Sequence, residues 1–387
     1  MNPFLKWRQE FPILEKTCYM ISNSLGAMPR RTYEDLHSYG EVWATRGVRA
    51  WEEAWWMTPA GVGDLVAPLL GAGAGEVIMQ TNVTLTQAQI LSCFEFREPK
   101  NKIVCEAMNF PSVQYLYQQA TRRGARFVTV PSPDGIRTPT EEMLKAIDDE
   151  TLLVPISHVI FKSAYIQDAQ RIIERAHEVG AIVILDVYQS AGILPIDVKE
   201  LNVDVVIGGC LKWLCGGPGN AFLYVRPYLC SKLEPALTGW LSHEDPFAFE
   251  PPPVRRRNDI WRFLTGTPPI PAHYAAKAGL EIIHQVGVEA IRENSMRQTS
   301  KLIALADEAG LQVNSPRDAH QRGGTVSLDM PDALAIAKEL IRREFLVDFR
   351  PGAGIRISPH FYNTDDEIEA IMAEIKKILG TRNRRRG

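Results

Sequence analysis

Six short segments, EVIMQ, KIVCE, RFVTV, TLLVPIS, AIVILD and VDVVIGG, recur between residues 76 and 209 with helical stretches between them. Runs such as AIVIL carry no alternation of apolar and polar side chains, as strands do when both faces of their sheet are covered. The intervening stretches GVGDLVAPLLGAG, TLTQAQILSCFEF, SVQYLYQQATRR and DAQRIIERAHEVG read as helices with an apolar face. Strand and helix in alternation, with short punctuation, predict an α/β domain built on a buried, mostly parallel sheet.

The rhythm breaks at FAFEPPPVRRRNDIWRFLTGTPPIP, where proline is dense. A chain of 387 residues exceeds one ordinary core. The expected organisation is an N-terminal segment over 1–58, a large domain over 59–262, a small C-terminal α+β domain over 263–380 and a frayed basic tail over 381–387. The glycines of LLGAGAGEVI follow a helix and precede a strand, the reverse of a dinucleotide-binding turn, so they read as a helix stop.

Composition excludes several partners. A net charge of −3 gives no electrostatic reason for nucleic acid. No stretch nears the roughly 20 apolar residues that cross a bilayer. The start MNPFLKWRQEFPIL lacks the apolar core of a secretory signal, so the expected location is the cytoplasm, away from membranes. The six cysteines form no C-x-x-C pair, and no histidine follows at ligand spacing, so neither metal nor disulfide framework is expected.

Chemistry concentrates at two strand ends. AIVILD ends in Asp186, at the edge where α/β enzymes place ligands, and Lys212 follows the next strand within GGCLKWLCGGPGNAFLYV. A helix-capping acid and a surface lysine would look the same locally. Together and in this order they suit a pyridoxal phosphate site, where a partly desolvated amine holds the aldehyde and an acid keeps the pyridine nitrogen protonated.

From about residue 40 to 380 the chain resembles the class V aminotransferase family of fold-type I pyridoxal phosphate enzymes, most closely its kynureninases. The resemblance rests on NFPSVQYLY, LDVYQSAG, GGCLKWLCGGPGNAFLYV, GWLSHEDPFAFE, RFLTGTPPI and IRISPHFYNTDDEI, in this order. It implies that Lys212 bonds the cofactor and moves protons, that Asp186 pairs with the pyridine nitrogen, and that Phe110 stacks on the ring. It places the phosphate at Asn82, Val83 and Thr84, a strand-to-helix turn whose helix N-terminus attracts anions. Ser157, Gln189, Trp240 and Thr267 match further cofactor contacts. Trp240 and Thr267 would come from the partner of a homodimer whose sites are shared and to which the N-terminal segment contributes. Arg356 matches a clamp for the substrate carboxylate, a task that suits a planar guanidinium.

The chain also departs from that pattern. Leu211 stands where kynureninases carry tyrosine, Gln189 replaces a histidine, Thr267 replaces an asparagine, and ATRGVRAWEEAWW replaces the segment that reads the aromatic amine. Three outcomes stay open on one cofactor: hydrolysis of a Cβ–Cγ bond, loss of a β-substituent such as sulfur, and proton or amino transfer as in an epimerase or aminotransferase. A non-catalytic regulator would not need the amine. No cysteine follows Cys230, which argues against a persulfide carried on the protein.

Overall fold

The computed structural model describes residues 3–386, with side chains placed through Thr381. The side chains of the basic tail beyond that point, and Gly387, lie outside the described residues. After a short strand β1 (Cys18–Tyr19), seven strands form the central sheet: β2 (Val77–Gln80), β3 (Lys102–Glu106), β4 (Arg126–Val130), β5 (Thr151–Ser157), β6 (Ile182–Asp186), β7 (Val205–Gly209) and β8 (Ala221–Val225). Their order is β2-β8-β7-β6-β5-β3-β4.

All neighbours pair in parallel except around β8, which runs against both β2 and β7. The apolar run AFLYV of β8 is not singled out by the strand–helix alternation. An antiparallel return needs no crossover helix, so the connection 210–220 is free to carry Lys212. All five residues of β3, β7 and β8 are buried, as the lack of alternation predicts.

Helix α1 (Thr32–Arg46) and helix α2 (Thr58–Val66) precede β2, α3 (Val83–Leu91) follows it, and α4 (Pro111–Gln119) follows β3. The end of the α2 region is capped by Gly71 in the left-handed conformation, the helix stop expected there. The helix Ile270–Val286 packs against α1 and α2. Its Ala276, Leu280 and Ile283 join the core beneath the central sheet. This helix follows the proline-dense break and was expected in the small unit 263–380, yet it shares its core with the large one. It lies so close to the lysine-bearing loop that a Cβ on Gly279 would sit 2.4 Å from the Leu214 carbonyl oxygen.

A second, antiparallel sheet holds β9 (Gln312–Val313), β10 (Val326–Asp329), β12 (Asp348–Arg350) and β13 (Gly354–Ile357), in the order β12-β13-β10-β9. The helices Ala333–Arg342 and Asp365–Arg386 pack on it around Ile336, Leu340, Ile355, Ile371 and Ile375. The remaining strand, β11 (Phe345–Leu346), pairs in parallel with β1, so the start of the chain is built into the smaller unit. Among the described residues no helix is long and apolar enough to cross a membrane.

Candidate active site

The C-terminal edge of the parallel strands gathers the polar groups. Asp186 ends β6 and stands in register between Ser157 of β5 and Ile207 of β7. Its carboxylate accepts the Tyr188 N–H at 2.8 Å. Burial pushes its pKa up to about 6, opposed by that hydrogen bond and by the nearby Lys212 charge.

Lys212 follows β7 in a loop closed by hydrogen bonds from Cys210 N–H to the Asn220 carbonyl at 2.8 Å and from Gly216 N–H to the Cys210 carbonyl at 2.7 Å. Its Nζ lies 4.2 Å from the centroid of the Tyr188 ring and 5.9 Å from that of Phe110. Burial brings its pKa down to about 7; Asp186 opposes the shift, and Arg356 and Arg350 add to it. An ordinary lysine titrates above 10, so burial shifts this amine toward its neutral form near pH 7.

Around this pair stand an aromatic wall and a helix end. Phe110 is 44% exposed and meets Phe161 edge to face at 5.2 Å. Asn82 caps α3, its Oδ1 accepting the Leu85 N–H at 2.9 Å, while the first-turn N–H groups of Val83 and Thr84 lack intrahelical partners by helix geometry. Ser157 donates its hydroxyl to Asn109 Oδ1 at 3.0 Å. Gln189 is held at both ends: its Nε2 donates to the Asn23 carbonyl at 3.0 Å and its Oε1 accepts the Trp213 indole N–H at 3.2 Å.

All the residues expected at the site line one cavity of about 320 Å³, except Trp240 and Thr267. Those two line a second cavity, also about 320 Å³, with Trp51, Trp56, Phe247 and Trp261. Arg356 reaches the first cavity, but its guanidinium is not free. It donates from Nε and Nη2 to both oxygens of Asp348, at 2.8 and 2.5 Å, and from Nη1 to the Phe161 carbonyl at 2.7 Å. Arg350 reaches the same carboxylate at 2.9 Å. One acid between two guanidiniums leaves this wall of the pocket positive.

Asn23, Ser24, Tyr188 and Arg350 also line the cavity and are absent from the expected set. Tyr188 lies inside LDVYQSAG, two residues after Asp186, whereas Arg350 ends β12, outside the motifs that carry the resemblance. Asn23 and Ser24 come from a loop far away in sequence, joined to the lysine turn by the Gly26 N–H donating to the Leu211 carbonyl at 2.9 Å. Only glycine fits there, since a Cβ would fall 2.1 Å from the Lys212 carbonyl oxygen. No cysteine among the described residues lines the cavity, and burial pushes the Cys210 and Cys215 thiols beside Lys212 up to about 12. Among the described residues no group of histidine, cysteine or acidic side chains is placed to hold a metal ion.

Residues 28–371 match the family Aminotransferase class-V. Kynureninase of Pseudomonas fluorescens is 33% identical over 388 residues, spanning 96% of this chain and 91% of that one. Kynureninase of Burkholderia pseudomallei is 32% identical over 365 residues, spanning 90% and 86%. Among solved structures, a cysteine desulfurase from Thermococcus onnurineus superposes with a TM-score of 0.87 at 22% identity, over 98% of this chain and 99% of that one. The cystine C–S lyase C-DES superposes at 0.85 with 19% identity, over 95% and 99%. At such identities these two likenesses speak to the fold alone.

Proposed function

The chain belongs to the class V aminotransferase family, and within it we propose a pyridoxal phosphate enzyme that cleaves an amino acid between Cβ and Cγ, as a kynureninase does. The observation that carries this reading is the pair Lys212 and Asp186, an amine brought down to about 7 and a buried acid brought up to about 6 at adjacent strand ends of one cavity. The cavity suits the cofactor on its own terms. A buried acid with one backbone donor has room for a ring N–H, a flat aromatic face is exposed at Phe110, and a helix end faces the same space.

When bound, pyridoxal phosphate supplies an electron sink that makes the bonds around the substrate Cα labile. The chain's residues do the rest. Lys212 Nζ would hold the aldehyde and carry the proton taken from Cα. Asp186 would hold the pyridine nitrogen and Phe110 would pack on the ring. Asn82, Val83 and Thr84 would receive the phosphate, and Ser157 and Gln189 would supply further contacts. Arg356 keeps two N–H groups beyond those used on Asp348 and Phe161. It receives the substrate carboxylate with those groups while Asp348 fixes its plane.

Arg356→Lys keeps the charge and loses the fork. The expected result is a KM raised about 10- to 100-fold with kcat changed only a few fold, from the roughly 1.5–3 kcal/mol of a charged hydrogen bond. Steady-state kinetics checks this, and an unaltered KM would remove Arg356 from substrate binding.

A second reading is favoured by Leu211, which cannot donate a proton where kynureninases carry tyrosine: a carbon–sulfur lyase, epimerase or aminotransferase on the same cofactor site. Purified enzyme given kynurenine, a cysteine sulfoxide or an amino donor with a keto acid separates them. Anthranilate with alanine supports hydrolysis, and pyruvate with ammonia supports the lyase. Inverted substrate or a new amino acid supports the others. No product from any of them overturns the enzymatic reading.

In this reading the enzyme is a homodimer. Trp240, Phe247 and Phe249 are 39, 60 and 75% exposed on the surface around the second cavity. Exposed apolar patches of that kind mark interfaces, and there Trp240 and Thr267 reach the partner's site rather than their own.

A further inference from the structure

Trp213 is the largest fully buried side chain among the described residues, and it follows Lys212 directly. It sits in a slot between the two units. Gly192 presses on it from the large one, where a Cβ would fall 3.1 Å from the Trp213 carbonyl oxygen. Gly324, just before β10, presses from the smaller one, where a Cβ would fall 2.6 Å from Cη2 of the indole.

His360 closes this slot. It is 1% exposed, follows β13 by three residues and meets the Trp213 ring edge to face at 5.4 Å. Its Nε2 lies 2.8 Å from the Trp213 carbonyl oxygen. A carbonyl only accepts, so Nε2 carries the ring proton. Burial brings the histidine down to about 4, opposed by the bond to Trp213, so the ring is neutral near pH 7. Its Nδ1 has no partner among the described residues. Packing alone would be served by phenylalanine, without the cost of a bare buried nitrogen. What phenylalanine lacks is the donor.

The backbone around His360 is fixed. Its N–H donates to Asn363 Oδ1 at 2.9 Å, and the Asn363 N–H returns to the His360 carbonyl at 2.9 Å. The Tyr362 hydroxyl bonds the Ser22 hydroxyl at 2.8 Å and accepts the Ala27 N–H at 3.3 Å. The lysine turn is thus tied to the smaller unit through the residue next to Lys212.

We propose that His360 is a positioning residue for Lys212: by donating to the Trp213 carbonyl it keeps the amine against Tyr188 and away from water, although His360 itself does not line the cavity. This rests on the reading of Lys212 as the residue that holds the cofactor, and adds a group outside the pocket on which that amine depends.

Glutamine and asparagine separate the two ring nitrogens. The amide nitrogen of glutamine reaches the place of Nε2 and that of asparagine the place of Nδ1, so His360→Gln keeps the donor and His360→Asn does not. The measurement is capture of pyridoxal phosphate by the full-length protein, stopped with borohydride at each pH and read as label on the Lys212 peptide. The wild type is expected to show a midpoint of about 7, and H360Q to keep it. H360N is expected to raise it by about one pH unit, slowing capture at pH 6 about tenfold. The released turn lets water reach the amine, and burial is what holds its pKa down. His360→Phe keeps a ring, lacks the donor and should follow H360N. The charged groups that face Lys212, namely Asp186, Asp348, Arg350 and Arg356, are the same in every protein compared, so a shift reports placement.

An unchanged midpoint in H360N and H360F, whatever their melting temperatures, overturns the proposal. So does an H360Q that shifts as far as they do. Failure of both donor-less variants to fold makes the bond structural only and overturns it too. A wild type that fixes no label on Lys212 fails at an earlier step: it overturns the cofactor reading, and this proposal with it, before any variant is compared.

Discussion

Lys212→Ala leaves no covalent cofactor and lowers turnover by about 10³- to 10⁴-fold, the upper range for losing a positioned proton carrier that also holds the reacting group. Borohydride treatment of the wild type with pyridoxal phosphate should fix a label that survives denaturation, and should fix none to the variant. The same amine gives a test by pH. Because burial brings Lys212 down to about 7, its neutral form grows as pH rises through 7. Capture of the cofactor by the free protein should accelerate across that interval and level off above it. A midpoint above 10 would mean an ordinary solvated lysine, and a borohydride-fixed label on K212A would place the bond elsewhere.

Asp186→Asn has the second largest expected effect. Its charge favours the protonated form of Lys212, so removing it should move the capture midpoint below about 7. Turnover should fall on the order of 10²- to 10³-fold, as when one preorganised electrostatic group is lost. Asparagine can still accept the Tyr188 N–H, and it carries no charge to bury. The melting temperature should therefore stay near that of the wild type. A capture midpoint that stays put or rises in D186N would break the link between the two groups.

What could be read from the sequence follows physical locality. Strands of the central sheet announce themselves because burial on both faces leaves continuous apolar runs. Asp186 and Lys212 announce themselves because each ends or follows such a run. β8 escapes because its antiparallel sense depends on its neighbours β2 and β7 rather than on its own residues. The helix Ile270–Val286 is apolar on its own evidence, but nothing local says which sheet will cover it.

The pocket shows the same division. Arg356 is recognisable as a guanidinium on a strand, whereas its pairing with Asp348 depends on β12 lying beside β13. His360 lies in a matched motif, yet the carbonyl it reaches belongs to the lysine turn, which only the folded chain brings beside it. Trp240 and Thr267 belong to matched motifs, yet the single chain places them around a different cavity from Lys212.

The pairing of β1 with β11 joins Cys18 to Phe345 and Tyr19 to Leu346. A ribosome makes the first of these strands long before the second, and at about 5–20 residues per second the wait is tens of seconds. During that time the large sheet can form, but the loop carrying Asn23 and Gly26 has nothing to hold it against the lysine turn from the other side. The strands of the central sheet are thus all made well before Arg350 and Arg356, which complete the wall of the Lys212 cavity.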